Sequence, residues 1–149
     1  MKRTSFLKAM LVMPAAFALR MSAAGTPITV YKTSTCGCCG NWVAQLKTSG
    51  FEVKVVEVED TAASRAKYGV PEKLASCHTA VVDGYAVEGH VPVAEIRRML
   101  KERPKAKGLA VPGMVMGSPG MEGGRVDPYS VMLFTADGKS SVYQSYPKK

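Results

Sequence analysis

Apolar and polar residues alternate along "ITVYK" (residues 28–32) and again along "FEVKVVEVE" (51–59), with β-branched types at many apolar positions. A period of two with that composition predicts two strands. Between them, "NWVAQLKTSG" (41–50) puts Trp42, Val43 and Leu46 on one helical face and ends at Gly50, which predicts a helix with a glycine stop. "TAASRAKYG" (61–69) reads as a short helix, and "PEKLAS" (71–76) as one more turn with Pro71 at its start. "HTAVVDGYAVEG" (78–89) is apolar on both sides of Asp83-Gly84, a dipeptide that favours a tight hairpin turn. "PVAEIRRMLKE" (92–102) has helical amphipathic spacing and is closed off by Pro104.

The predicted order is therefore β-α-β-α-β-β-α. After it, "GLAVPGMVMGSPGMEGGR" (108–125) has no clear periodicity and reads as a loop rich in glycine and methionine. "SVMLFTADGKSSVYQSY" (130–146) offers a second hairpin about Asp137-Gly138, placed to extend the sheet or to cover its edge. The chain has no internal repeat.

The first 24 residues follow a different pattern. "MKRTSFLK" carries three basic residues and no acid, and "AMLVMPAAFAL" (9–19) is an unbroken apolar run of eleven. Ser22 and Ala24 then supply small side chains two positions apart. That order is a secretory signal with cleavage after Ala24. The apolar run is too short for a bilayer, which needs about 20 residues. The expected organisation is a signal at 1–24 and one domain at 25–149, with no membrane span once the signal is removed. Lys2, Arg3, Lys8 and Arg20 account for half of the formal charge of +8, so the mature chain carries +4. That charge, without arginine-aromatic clusters, argues against nucleic acid as a partner, and "KERPKAKG" (101–108) reads as a solvated helix end.

Export implies an oxidising compartment, where disulfides commonly hold distant segments together. Three of the four cysteines, however, fall within four residues, in "YKTSTCGCCGNW" (31–42). Cys36, Cys38 and Cys39 cannot link distant segments, so they are placed for chemistry at one point. A cysteine at a helix N-terminus faces unpaired backbone amides that stabilise its thiolate. Gly37 and Gly40 would let backbone approach the sulfurs. A C-x-x-C between a strand and a helix resembles the thioredoxin and glutaredoxin layout and serves disulfide exchange or soft-metal binding equally.

Cys77 and His78 stand at the entry to the third predicted strand. In thioredoxin-like chains a proline there packs opposite the active cysteines, and here two metal-ligand types replace it. His90 leads into the last helix, near the same end of the sheet. Met114, Met116 and Met121 lie in the glycine-rich loop, whereas Met99 and Met132 fall on core-facing elements. Thiolate and thioether sulfur together select soft cations, Cu(I) above all.

These blocks, "YKTSTCGCCGNW", "ASCHTAVVDGYAVEGHVP" and "VPGMVMGSPGME", resemble the signature segments of CopG-type copper-resistance proteins of Gram-negative bacteria. The resemblance covers essentially the whole mature chain. It implies an α/β, thioredoxin-like fold with a Gly/Met-rich loop and a C-terminal hairpin, periplasmic location, and copper bound by clustered cysteines. Other periplasmic copper-handling proteins are the partners it suggests. On that reading Cys36, Cys38, Cys39 and Cys77 hold Cu(I), the extra thiol bridges more than one ion, and His78, His90, Met114, Met116 and Met121 complete or gate the site. Two alternatives stand beside it. One is a thiol-disulfide oxidoreductase with Cys36 as nucleophile and Cys39 as resolving thiol; the other is a zinc-binding Cys₃His interaction module.

Overall fold

A computed structural model describes residues 25–148, so the expected signal segment lies outside the described residues. Strand β1 (Thr26–Lys32) leads through the cysteine turn into helix α1 (Gly37–Thr48), which is followed by β2 (Phe51–Glu57). Helix α2 (Ala62–Lys67) and a 3₁₀ turn (Glu72–Leu74) precede the hairpin of β3 (His78–Val82) and β4 (Tyr85–Glu88). Helix α3 (Val93–Glu102), β5 (Gly108–Ala110), β6 (Tyr129–Phe134) and β7 (Ser140–Tyr146) complete the chain. The fold is α/β, as expected, and the predicted order from β1 to α3 is present.

The strands form one sheet in the order β2-β1-β3-β4-β5-β6-β7. β1 runs parallel to β2 and β4 parallel to β5, and the other neighbours are antiparallel. Asp83 (φ 47°) and Gly84 (φ 82°) both take left-handed backbone, the geometry that a two-residue hairpin turn requires.

Two expectations need correction. Helix α1 starts at Gly37, not Asn41, so Cys38 and Cys39 lie inside its first turn and Cys36 is its N-cap. The segment after α3 also contains a strand, β5, which pairs with both β4 and β6. Three residues are too few to show a period, and only the neighbouring strands make the segment extended. Through β5 the second hairpin extends the sheet; it does not cover an edge.

Both faces of the sheet are covered. Trp42, Val43 and Leu46 of α1 and Ile96 and Met99 of α3 pack with Val30, Ala80, Val82 and Val87. Ala86, one residue along β4 and so on the opposite face, packs with Val70, Leu74, Ala110 and Phe134. The C-terminal hairpin is tied to α3 by polar contacts. Arg98 lies 3.7 Å over the Tyr143 ring and donates to the Tyr143 carbonyl at 2.9 Å. Tyr146 Oη donates to the buried Glu95 carboxylate at 2.7 Å, and Lys148 Nζ lies 3.0 Å from it. Among the described residues no helix is long and apolar enough to cross a membrane.

Candidate metal centre

Four sulfurs meet at the N-terminus of α1. The Sγ atoms of Cys36, Cys38, Cys39 and Cys77 all lie within 4.8 Å of one another. Cys36 and Cys39 are joined as a disulfide, while Cys38 and Cys77 are free. Cys38 Sγ is 3.6 Å from Cys36 Sγ, and Cys77 Sγ is 3.5 Å from Cys39 Sγ. Helical geometry explains how three neighbouring cysteines converge. Cys36 and Cys39 are one turn apart and stack on one side of the helix entry, with Cys38 beside them. Cys39 continues into the buried stripe of Trp42, Val43 and Leu46, which ties it to the core.

Cys77 arrives from the other direction. Register pairing of Lys32 with His78 brings the start of β3 alongside the end of β1, directly before the cysteine turn. His78 points to the α1 face of the sheet, like Ala80 and Val82, and its ring centroid lies 4.4 Å from Trp42. His90 follows β4 and reaches the same point, its ring 5.0 Å from His78 and edge-on to it. The result is a second set of donors around Cys77. His78 Nδ1 is 3.3 Å from Cys77 Sγ and His90 Nε2 is 3.0 Å from it.

Burial sets the charge state of this set. Both imidazoles are fully buried. Burial, together with the neighbouring His90, drives the His78 pKa down to about 3. Burial also lowers that of His90, and the Pro119 hydrogen bond and the Glu122 charge only partly offset it. Both rings are therefore neutral near pH 7, the form that binds metals. Burial and the adjacent Cys38 push the Cys77 thiol up to about 12, so it is protonated when no cation is bound. His78 Nε2 is buried without a hydrogen-bond partner.

The glycine- and methionine-rich loop closes over this end of the sheet with its backbone. His90 Nδ1 lies 2.7 Å from the Pro119 carbonyl oxygen, which can only accept, so Nδ1 carries the proton and Nε2 turns its lone pair toward Cys77. Gly120 follows at φ 86°, and a Cβ there would lie 2.8 Å from the Cys38 carbonyl and 3.2 Å from His90 Nδ1. The Glu122 carboxylate accepts from the Gly120 amide at 2.8 Å and from Gln45 Nε2 of α1 at 2.7 Å, which fastens the loop to the helix.

The methionines themselves are spread along the loop. Met114 is exposed, and Met116 and Met121 are half-buried. The Met116 methyl folds back toward Gly124. Met99 is fully buried, in keeping with a core role. Gly37 and Gly40 differ from expectation, because a Cβ on either would meet no atom within 4 Å. They leave the outer side of the cysteine turn open and are not needed for a close backbone approach.

Sequence reasoning missed Pro119, Gly120, Glu122 and the network behind Cys77. In that network Glu88 is fully buried and accepts from the Ser76 amide at 2.7 Å and from Thr79 Oγ1 at 2.6 Å. Arg65 lies 4.0 Å away. A polar residue ending the apolar run "YAVE" is the only sequence sign of it.

Comparison with known proteins places this geometry in a family. A family model described as "Protein of unknown function, DUF411" matches residues 74–121, the stretch holding Cys77, His78, His90 and the loop. A search of curated proteins finds no match. Two solved structures, named "Copper resistance protein copG- Form 2" and "Copper resistance protein copG- Form 1", each align with 83% of this chain at 46% identity and a TM-score of 0.78. The alignment spans 99% of the first and 98% of the second. At that identity and over that length, this chain belongs to the family of the copper resistance protein CopG.

Proposed function

We propose that this protein binds copper for copper resistance or homeostasis, holding Cu(I) among the thiolates of Cys36, Cys38, Cys39 and Cys77. The observation that carries this reading is the convergence of four sulfurs within 4.8 Å, with two neutral imidazoles beside them. The donor chemistry fits, since thiolate sulfur prefers soft cations and has spare lone pairs for bridging. The family name supports copper as the metal. His78 and His90 complete the donor set, and the methionine loop covers it and gates exchange. Residues 1–24 direct the chain to the periplasm, where copper-handling proteins of that compartment are its partners. The β-α-β-α-β-β-α scaffold is read as thioredoxin-like.

Loading then depends on redox state. The Cys36–Cys39 disulfide offers no thiolates, so two electrons and two protons from a dithiol reductant must open it first. The test is an anaerobic competition between Cu(I) and Zn(II) on the fully reduced protein. Multiple Cu(I) ions bound per chain, with zinc displaced, is the expected result. Stoichiometric zinc that survives excess Cu(I) would sink the reading and favour the Cys₃His zinc module.

A second reading has its own observation. The disulfide joins a half-buried Cys36 at a helix N-cap to a fully buried Cys39, an arrangement suited to attack on the outer sulfur. A thiol-disulfide oxidoreductase would need only these two cysteines. Turnover of a model disulfide that persists in Cys38→Ser and Cys77→Ser would favour it.

A further inference from the structure

The cysteine turn and the histidines occupy one end of the sheet, and the opposite end has a different character. There Lys105, Ala106 and Lys107, leading into β5, face the β6–β7 turn (135–139) across a cavity of about 560 Å³. Backbone bonds fix its walls: the Lys107 amide donates to the Phe134 carbonyl at 2.8 Å, and the Ala86 amide to the Lys107 carbonyl at 2.9 Å. We propose that this basic end is a docking surface for an anionic lipid bilayer. It holds the protein against phosphodiester headgroups and turns the cysteine end away. The proposal needs no metal in the protein.

The charge at this end is unbalanced. Lys101, Lys105, Lys107 and Lys139 are exposed, and among the described residues the first three form no ion pair. Lys47 in the last turn of α1 and Arg97, which donates to the Ser49 carbonyl, lie at the same end. The carboxylates here are Glu52, Asp83, Glu102 and Asp137. Asp83 is paired with Arg103, Glu102 with Arg98 and Asp137 with Lys139. What remains for a partner is mostly lysine.

The cysteine end carries the opposite sign. Glu57, Glu59 and Asp60 close β2, where the Val58 amide bonds to the Lys32 carbonyl just before the cysteine turn. Glu122 lies in the loop over the histidines. Charge is therefore segregated along the strand direction. A dipolar molecule of that kind is steered to a negative surface with its basic end first.

The shape of the basic end favours a bilayer over a single acidic segment. Ala106 and Ala136 line the cavity between lysines whose long methylene stems are themselves apolar. That mixture suits the headgroup region, where ammonium groups meet phosphates and short apolar surface meets glycerol and acyl carbons. The lining has no aromatic ring and no arginine, the anchors that a specific peptide interface relies on. Unanchored lysines instead suit a fluid array of charges, each basic residue strengthening association about fivefold.

The experiment mixes the mature protein (25–149) with large unilamellar vesicles and sediments them. One set is equal parts phosphatidylglycerol and phosphatidylcholine, and the other is phosphatidylcholine alone. Protein should partition onto the anionic vesicles only, and added salt should release it. Lys105→Gln with Lys107→Gln should weaken partition about 25-fold, as two lost charges imply. Lys54→Gln with Lys73→Gln removes the same net charge from exposed sites away from the cavity and should weaken it far less. All four lysines are exposed, so the folds should survive, with circular dichroism as the check. A soluble maleimide should label the free thiol of Cys38 equally fast with and without vesicles, because that end faces solution. No partition onto anionic vesicles at low salt, equal binding to neutral ones, or equal losses in the two double variants would each overturn the proposal. So would protection of Cys38 by the bilayer, and so would capture by an acidic polypeptide such as polyglutamate in place of the vesicles.

Discussion

Cys77 Sγ sits 3.5 Å from Cys39 Sγ, across 38 positions of chain, with one sulfur entering β3 and the other in the first turn of α1. That contact makes the centre. It converts a local run of cysteines into a four-sulfur cluster, and it brings two histidines with it.

Cys38 separates metal binding from thiol exchange. Its sulfur lies 3.6 Å from Cys36 and takes no part in the disulfide. Cys38→Ser should keep the fold and lower the number of Cu(I) ions bound by the reduced protein, measured by anaerobic titration. An unchanged count would make Cys38 a bystander.

Gly120 tests the loop as a backbone device. Gly120→Ala meets both a left-handed φ, which costs about 1–2 kcal/mol, and the backbone of Cys38 and Trp42 at 2.8 and 3.0 Å. Overpacking of that kind adds about 1–3 kcal/mol. Gly123→Ala, at φ 104° with open space around its Cβ, carries the φ strain alone. Urea unfolding should show Gly120→Ala clearly less stable than Gly123→Ala. Equal losses would mean that the loop does not press on the centre.

The methionines are tested by changing Met114, Met116 and Met121 to leucine together. Such swaps cost under about 1.5 kcal/mol even in a core, and Met114 is exposed. The fold should survive and the thiolates should still hold copper. Loss of weak soft ligands should speed copper transfer to a chelator severalfold, timed by stopped flow. Identical rates would leave the loop as a cover that acts through Pro119 and Gly120.

Glu88 predicts a pH dependence of stability. Burial raises its pKa to about 7, against the opposing hydrogen bonds of Thr79 and Ser76 and the charge of Arg65. In the unfolded chain the group titrates near the ordinary value of 4.5. Between those values the folded state holds the proton and the unfolded state has released it. This contribution is therefore complete below about pH 4.5 and is lost as pH rises to about 7, by up to about 3 kcal/mol. Denaturation of Glu88→Gln across pH 4–8 should show a stability curve that falls less steeply over that window. A curve parallel to wild type would show that Glu88 is ionised throughout.

Much of the scaffold was legible in local pattern. Period-two runs marked β1 and β2, Asp-Gly dipeptides marked both hairpins, and helical spacing marked α1 and α3. These signals depend on residues a few positions apart, which is why they can be read in order. The first turn of α1 is not legible in the pattern because "GCCG" carries no apolar stripe or propensity that favours helix, and the turn is held by Gly40 bonding back to Cys36. Strand β5 escaped because its extended form is imposed by β4 and β6.

By itself, the sequence determined the chemistry available: clustered thiols, a Cys-His pair, a distant histidine and an unusual loop, all of them soft or borderline donors. Tertiary structure alone decided their arrangement. Antiparallel pairing brings β1 and β3 together, so Cys77 meets Cys39 and His78 meets Trp42. It also decided that Pro119 and Gly120, backbone groups with no chemical signature, would orient His90. The reason is physical: donor type is a property of one side chain, whereas distance, burial and tautomer arise from segments far apart in the chain that share one low-dielectric site.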